Sequence, residues 1–141
     1  MIARSQHLTP QRARAAGAAW VSKVELFGRS DVLSIHLVLS ERTRGVVNGA
    51  DIAAMKPTSW LVNTSRGPII EQDALLAALR SKSIAGAALD VFDVEPLPVW
   101  HPLRTLPNVL ATPHIGYVTE DLYRTFYSDA AASIAAWLDR R

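Results

Sequence analysis

A chain of 141 residues, of which 49% are hydrophobic and 20% charged, is long enough for one globular domain with its own core. The formal net charge is only +2 and the arginines are scattered, which argues against a nucleic-acid partner. The absence of cysteine excludes a disulfide framework and a thiolate metal site, and no other metal site is predicted. No apolar run approaches the roughly 20 residues of a membrane helix, so we expect a cytoplasmic protein without a membrane partner.

The first third of the chain alternates between short strands and short helices. Residues 2–3 begin an apolar strand, and Thr9 followed by Pro10 is typical of a helix start. After a very short strand at 19–21, residues 22–25 have the spacing of a capping box and open a second helix. Residues 32–39 form the first long apolar run, which predicts a strand buried on both faces.

The same alternation continues to the C-terminus. Further helices are predicted at 49–55, 71–82 and 119–139, and further strands at 60–62, 85–89 and 109–111. Six strands with helices between them indicate an α/β fold with a mostly parallel, doubly wound sheet.

Three polar motifs each follow one of these apolar runs. They are Asn63-Thr64-Ser65-Arg66-Gly67, Leu89-Asp90-Val91-Phe92 through Glu95-Pro96, and Thr112-Pro113-His114-Ile115-Gly116. The carboxyl ends of parallel strands meet at one edge of a sheet, where ligands bind in a crevice. We therefore expect Arg66, Glu95 and His114 to lie close together at that edge.

In this order the three motifs closely resemble those of the D-isomer-specific 2-hydroxyacid dehydrogenases, and the resemblance covers about residues 29–141. The resemblance implies an oxidoreductase that transfers a hydride between NAD or NADP and a small 2-hydroxy acid or its 2-oxo acid. It also implies a nucleotide-binding domain of the doubly wound type.

The resemblance assigns His114 as the acid/base, Glu95 as its partner and Arg66 as the clamp on the substrate carboxylate. Histidine suits the proton transfer because its ordinary pKa of about 6.5 lies near working pH. Other roles stay open for the same residues. His114 could cap a loop carbonyl, Glu95 could be a surface charge, and Arg66 could pair with Asp90.

Cofactor contacts are also implied by the resemblance. Residues expected near the nicotinamide are Thr64, Ser65, Arg66, Asp90, His114 and Gly116, with His36 and residues 37–40 at the mouth. At the end of the second strand of such a domain an acidic residue usually binds the ribose hydroxyls of NAD. Here Arg4 and Ser5 stand at that place, which favours the 2′-phosphate of NADP.

The glycine-rich Gly-x-Gly-x-x-Gly loop of dinucleotide-binding folds does not occur in this sequence. We therefore expect residues 1–141 to be a partial NAD(P)-binding domain with a C-terminal helix, without the first strand–helix unit and without the substrate domain. Residues 1–28 would then be poorly anchored, or would pair directly with the strand at 32.

Two functions remain open from the sequence. The chain could be a dehydrogenase fragment or subunit, completed by another chain or assembled as a homo-oligomer. It could instead be a non-catalytic remnant that binds a partner chain, for which the apolar positions of the last helix offer a surface, at Leu122, Phe126, Ala130, Ile134 and Trp137.

Overall fold

The computed structural model describes residues 1–140. Its six strands form two separate sheets, in which every neighbouring pair is parallel. The strands are β1 (Ile2–Ala3), β2 (Ala19–Trp20), β3 (Val32–Ile35), β4 (Trp60–Asn63), β5 (Gly86–Leu89) and β6 (Val109–Ala111). β1 pairs with β2, and the larger sheet has the order β3-β4-β5-β6. The predicted α/β fold with a parallel sheet is confirmed.

Five α-helices connect or follow the strands. They are α1 (Pro10–Ala15), α2 (Lys23–Arg29), α3 (Gly49–Ala53), α4 (Gln72–Ser81) and α5 (Glu120–Leu138). The predicted start signals are the ones that operate: Thr9 caps α1 ahead of Pro10, Ser22 and Glu25 form the capping box of α2, and Thr119 caps α5. A hydroxyl at this position accepts a bond from a backbone N–H that the helix leaves unpaired.

One continuous core lies between the larger sheet and the helices α2, α3 and α4. Alternate residues of the strands face it, such as Leu33, Leu61 and Ala87, and the apolar stripe of α4 packs on them through Leu75 and Leu79. This packing fixes the directions of β3 to β6, and with them the loops that leave their carboxyl ends.

The strand predicted at residues 32–39 is shorter and less buried than expected. It ends at Ile35, and only Leu33 and Ile35 face the core, whereas Val32 is 64% exposed and Ser34 is exposed. The prediction of burial on both faces is therefore wrong. An apolar run cannot distinguish a strand inside a sheet from one at its edge, and β3 is an edge strand of its sheet.

Of the two outcomes expected for residues 1–28, direct pairing with β3 does not occur. β1 and β2 form a two-stranded parallel sheet, and α1 packs against it through the buried Ala13. The segment is tied to the rest of the chain by α2, whose Phe27 is 3% exposed within the main core. The side chain of Lys23 adds an ion pair to Asp51 in α3 at 2.7 Å.

The C-terminal helix α5 contains no buried residue over its 19 residues. Its aromatic side chains Tyr123, Phe126 and Tyr127 are about half exposed or more. Within residues 1–140, none of the helices combines the length and apolar character that crossing a membrane requires.

Candidate active site

The Arg66 loop, residues 64–68, begins where β4 ends. The buried Asn63 side chain holds this turn, because its Nδ2 donates to the Arg66 carbonyl at 2.9 Å and its Oδ1 accepts from the Ser65 N–H at 3.0 Å. The Ser65 hydroxyl donates to the Ile35 carbonyl at the end of β3, at 2.8 Å. Thr64 and the Arg66 side chain remain exposed, and the Arg66 guanidinium donates to the Ser65 carbonyl at 2.6 Å. The loop thus offers a cation at the carboxyl edge of the sheet.

The Glu95 loop, residues 90–96, and the His114 loop, residues 112–118, meet through a side-chain pair. His114 Nδ1 lies 2.7 Å from Glu95 Oε2, with about a third of each side chain exposed. The other carboxylate oxygen, Glu95 Oε1, accepts from the Phe92 N–H at 2.8 Å. The bond occupies Nδ1 and leaves Nε2 as the ring atom available for proton transfer. The pair excludes two of the alternative roles that the sequence left open. The His114 side chain does not cap a loop carbonyl, and Glu95 is not an unpaired surface charge.

The charge of Glu95 follows from its surroundings. Partial burial acts to raise the pKa of Glu95, but hydrogen bonds from His114 and Phe92 and the positive charges of His114 and Arg66 hold it below its ordinary value. Glu95 is therefore ionised at neutral pH. A carboxylate at this distance fixes the tautomer and the orientation of the His114 ring.

Asp90 is the buried anchor of the His114 loop. Its Oδ1 accepts from the Thr112 hydroxyl and the Ile115 N–H, at 2.5 and 2.9 Å, and its Oδ2 accepts from the Gly116 N–H at 2.8 Å. Burial acts to raise the pKa of Asp90, but these hydrogen bonds, together with the nearby His114 charge, bring it below the ordinary value. Asp90 thus holds the main chain immediately after His114, at Ile115 and Gly116. His114 itself has a left-handed backbone conformation, with a φ of 57°. Asp90 does not pair with Arg66, so that alternative is wrong.

We expect Asp90→Asn to lower the free energy of unfolding at pH 7 by about 1–3 kcal/mol, because an amide nitrogen cannot accept the backbone N–H bonds. In the wild-type chain the depressed pKa contributes stability that is present above the unfolded value of about 4 and is lost as pH falls through the folded value. In urea unfolding measured between pH 7 and 2.5, the free energy of unfolding should therefore fall more steeply with decreasing pH for the wild type than for the variant. Asp129→Asn is the matched control, because the Asp129 side chain is exposed on the surface of α5. Equal pH slopes for wild type and Asp90→Asn would contradict the anchoring role.

Gly67 joins the Arg66 loop to the Glu95 loop. A Cβ at this position would lie 2.1 Å from the backbone carbon of Phe92 and 2.5 Å from the N of Asp93. Only glycine permits this approach of the two main chains. The Phe92 N–H also donates to Glu95. The close approach of Gly67 to Phe92 therefore fixes Arg66 relative to the His114–Glu95 pair.

The predicted site residues fall into two groups. Arg66, Glu95 and His114 lie in three interlocked loops, together with Thr64, Ser65, Asp90 and Gly116. Arg4, Ser5 and His36 lie elsewhere, in the wall of a cleft of about 1000 Å³ between β1 and β3. His36 is exposed rather than a core histidine, and its Nε2 lies 2.8 Å from the Ser34 hydroxyl.

Sequence reasoning did not assign roles to Thr112 and Tyr117. The Thr112 hydroxyl binds Asp90, and the Tyr117 ring stands edge-on to the His114 ring with centroids 6.5 Å apart. The only feature of the sequence that pointed to Thr112 and Tyr117 was their position within two or three residues of His114. Within residues 1–140, no group of three or more His, Asp or Glu side chains could hold a metal ion.

The residues present fit a nicotinamide dinucleotide. Gly116 leaves its backbone bare beside the Asp90 carboxylate, since a Cβ there would lie 2.9 Å from Asp90 Oδ2. The cleft adjoins this region through β3, whose last residue accepts the Ser65 bond.

Comparison with known proteins bears on this arrangement. The NAD binding domain profile of the D-isomer specific 2-hydroxyacid dehydrogenases matches residues 1–116. The chain belongs to this family. A glyoxylate/hydroxypyruvate reductase B from Enterobacter agglomerans is 45% identical over 113 residues, and a glyoxylate reductase from Thermofilum pendens is 42% identical over 113 residues. Both alignments cover 80% of this chain, and the chain spans 35% and 33% of the lengths of these two 2-hydroxyacid dehydrogenase relatives.

Solved structures of 2-hydroxyacid dehydrogenases and related oxidoreductases share the fold. A phosphoglycerate oxidoreductase from Vibrio cholerae o395 superposes with a TM-score of 0.85 at 40% identity, over 94% of this chain and 42% of that one. A D-isomer specific 2-hydroxyacid dehydrogenase from Xanthobacter autotrophicus Py2, solved with NADPH and MES, gives a TM-score of 0.67 at 40% identity, over 70% of this chain and 33% of that one.

Proposed function

We propose that this chain supplies the nucleotide-binding part and the proton-transfer residues of a dehydrogenase that acts on a small 2-hydroxy acid or its 2-oxo acid. The observation that carries the proposal is the bonded His114–Glu95 pair, held beside the exposed Arg66 in loops that leave three adjacent parallel strands. Relatives named glyoxylate and glyoxylate/hydroxypyruvate reductases support a small 2-oxo acid as the substrate. Because the chain spans only about a third of the length of these relatives, we expect negligible turnover by residues 1–141 alone.

The roles of the three residues follow from their chemistry. A bound nicotinamide would supply the hydride in reduction and accept it in oxidation. In reduction, His114 Nε2 donates a proton to the carbonyl oxygen of the 2-oxo acid while carbon 2 receives the hydride, and the product is the 2-hydroxy acid. Glu95 stabilises the imidazolium before the transfer. Arg66 binds the substrate carboxylate through the two parallel N–H groups of its guanidinium.

We infer a preference for NADPH from the cleft between β1 and β3. Arg4 lies directly after β1 with its guanidinium 5.7 Å from the centre of the Trp20 ring, and Arg42 reaches the same region through a 3.4 Å bond to Gln6. Two guanidinium groups at the carboxyl end of a strand suit a phosphate, whereas the ribose hydroxyls of NADH call for an acidic residue.

Isothermal calorimetry of the 141-residue chain tests cofactor binding. We expect saturable binding of NADPH that is tighter than that of NADH, and we expect Arg4→Gln to weaken NADPH binding by about tenfold while changing NADH binding little. Arg14→Gln, at the end of α1, is the matched control for the loss of one positive charge. Failure of a folded chain to bind either cofactor would contradict the proposal, and an equal response of both cofactors to Arg4→Gln would contradict the preference.

A further inference from the structure

The three asparagines of the sequence differ in the residue that follows them. Asn63 and Asn108 each precede a β-branched residue, whereas Asn48 precedes Gly49. A β-branched side chain crowds its own backbone, while glycine has no side chain and restricts the backbone least. The Gly49 nitrogen is therefore the one that can most readily approach the side chain of the asparagine before it.

An asparagine followed by glycine is prone to lose its side-chain amide to water. The Gly49 nitrogen attacks Asn48 Cγ and gives its proton to a solvent base, while the bond from Cγ to the side-chain nitrogen breaks and ammonia leaves with a proton from solvent. The attack is intramolecular, which gives it a high effective concentration. One water molecule then opens the five-membered imide at either carbonyl. The products are aspartate and isoaspartate at position 48, so each event exchanges an amino group for a hydroxyl group.

The fold leaves this pair accessible but holds it in an unreactive geometry. Both residues are partly exposed, and Asn48 is the N-cap of α3. Asn48 Oδ1 accepts from the Asp51 N–H at 3.1 Å, and the Asp51 carboxylate accepts from the Asn48 N–H at 2.9 Å. This capping box keeps the Asn48 backbone extended, with a ψ of 178°. Ring closure requires rotation about ψ, so the cap must open before the chain can react.

Glu71 restrains the attacking nitrogen itself. A helix leaves its first N–H groups without partners in the helix, and Gly49 is the first residue of α3. Its N–H donates to Glu71 Oε2 at 3.0 Å. Hydrogen bonds to a charged acceptor are stronger than those between neutral groups. The bond therefore keeps the proton on the nitrogen and fixes the direction in which the nitrogen points.

Local structure brings Glu71 to this N–H. Val47 and Ile70 form an isolated parallel bridge, and the Glu71 N–H donates to the Val47 carbonyl at 2.9 Å. Glu71 is the N-cap residue of α4, but its side chain makes no capping bond to that helix. The side chain is therefore available to bind the start of α3.

We propose that Asn48–Gly49 is a latent site of spontaneous deamidation, and that Glu71 keeps it closed in the folded chain by holding the Gly49 N–H. The proposal goes beyond the dehydrogenase function, because the reaction needs only water. Isoaspartate places one extra carbon in the main chain at position 48, which displaces the cap from Asp51. Because Asp51 also pairs with Lys23 of α2 at 2.7 Å, the contact between α2 and α3 would loosen.

Mass spectrometry of the purified 141-residue chain tests the proposal. Folded wild type, wild type in urea and folded Glu71→Ala are incubated at neutral pH, and the reaction is followed as a mass gain of one dalton in the peptide that contains position 48. The unfolded chain and Glu71→Ala should each react about tenfold faster than the folded wild type. Circular dichroism checks the folding of the variant, and the peptides with Asn63 and Asn108 are internal standards.

Three further variants separate the bond from other effects. Glu71→Gln keeps an oxygen that accepts from Gly49, but in a weaker neutral bond, so its rate should lie between those of wild type and Glu71→Ala. Asp73→Ala removes an exposed carboxylate from the first turn of the same helix and should react like wild type. Gly49→Ala should fold, because its Cβ would make an ordinary contact with Ala74 at 3.5 Å. In urea it should react about tenfold more slowly than wild type, since its side chain hinders the attack.

Each part of the proposal has a result that would overturn it. Equal rates for folded wild type and folded Glu71→Ala would remove the role of Glu71, and Glu71→Gln replaces the alanine variant in this comparison if that variant does not fold. Equal rates for folded and unfolded wild type would show that the fold gives no protection. A reaction in urea that is no faster at Asn48 than at Asn63 or Asn108 would exclude the site. None of these results depends on cofactor binding, so they are independent of the dehydrogenase function.

Discussion

Replacing His114 by alanine should lower kcat by about two to four orders of magnitude in an active assembly, because it removes the group that exchanges the proton with the substrate oxygen. The bond between His114 and Glu95 makes this the largest effect on catalysis that we expect. Apparent binding of the 2-oxo acid should change less, because the clamp on its carboxylate is Arg66.

A chimera provides the assembly. Residues 1–116 replace the corresponding segment of the Enterobacter agglomerans reductase, to which the chain is 45% identical. Reduction of glyoxylate and hydroxypyruvate is followed through the absorbance of the reduced cofactor. His7→Ala is the matched control, since it removes an exposed histidine that lies outside the three loops. Turnover by the His114→Ala chimera within a few fold of the parent would refute the proton-transfer role.

Gly67→Ala should destabilise the chain by about 3 kcal/mol or more, which is at the upper end of the cost of overpacking. The added Cβ would lie 2.1 Å from the Phe92 backbone carbon, and main chain cannot move aside as a flexible side chain can. To relieve this clash, the Arg66 loop should move away from the Glu95 loop. In the chimera, kcat/KM should therefore fall even where the protein remains folded.

Chemical denaturation of the 141-residue chain measures the effect on stability. Gly28→Ala makes a matched control, because Gly28 lies in α2 and its added Cβ would meet only the Ala54 carbonyl oxygen, at 3.6 Å. That substitution should raise stability by about 0.5–1 kcal/mol, since alanine loses less backbone entropy in a helix. If the two substitutions gave similar midpoints, the close approach of the two loops would not be essential.

Much of the fold could be predicted from local signals. Caps, prolines and apolar periodicity located all five helices, and the six strands were found within a few residues of their observed bounds. The convergence of the Arg66, Glu95 and His114 loops could also be predicted, because strand direction alone decides that loops after parallel strands share one edge.

The remaining features depend on contacts that local sequence does not encode. The apolar run at 32–39 predicted burial on both faces, but which strand occupies each edge is a property of the whole sheet. Direct pairing of the N-terminal residues with β3, one of the two outcomes expected for them, fails for the same reason, because β1 pairs with β2 alone. The role of Asp90 as a loop anchor depends on hydrogen bonds to residues 22 to 26 positions later in the chain.

The His114 loop is held largely through its main chain, and this affects how the site could be altered. Asp90 binds the N–H groups of Ile115 and Gly116, while the side chains of Ile115 and Tyr117 are 46% and 55% exposed. Positions 115 and 117 can therefore be randomised without removing the bonds that position the histidine. A library at these two sites, screened against a range of 2-oxo acids in a chimera extended to residue 118, would explore substrate range at little cost in folding. In this loop the main chain fixes the position of the histidine, while the exposed side chains are available to contact a ligand.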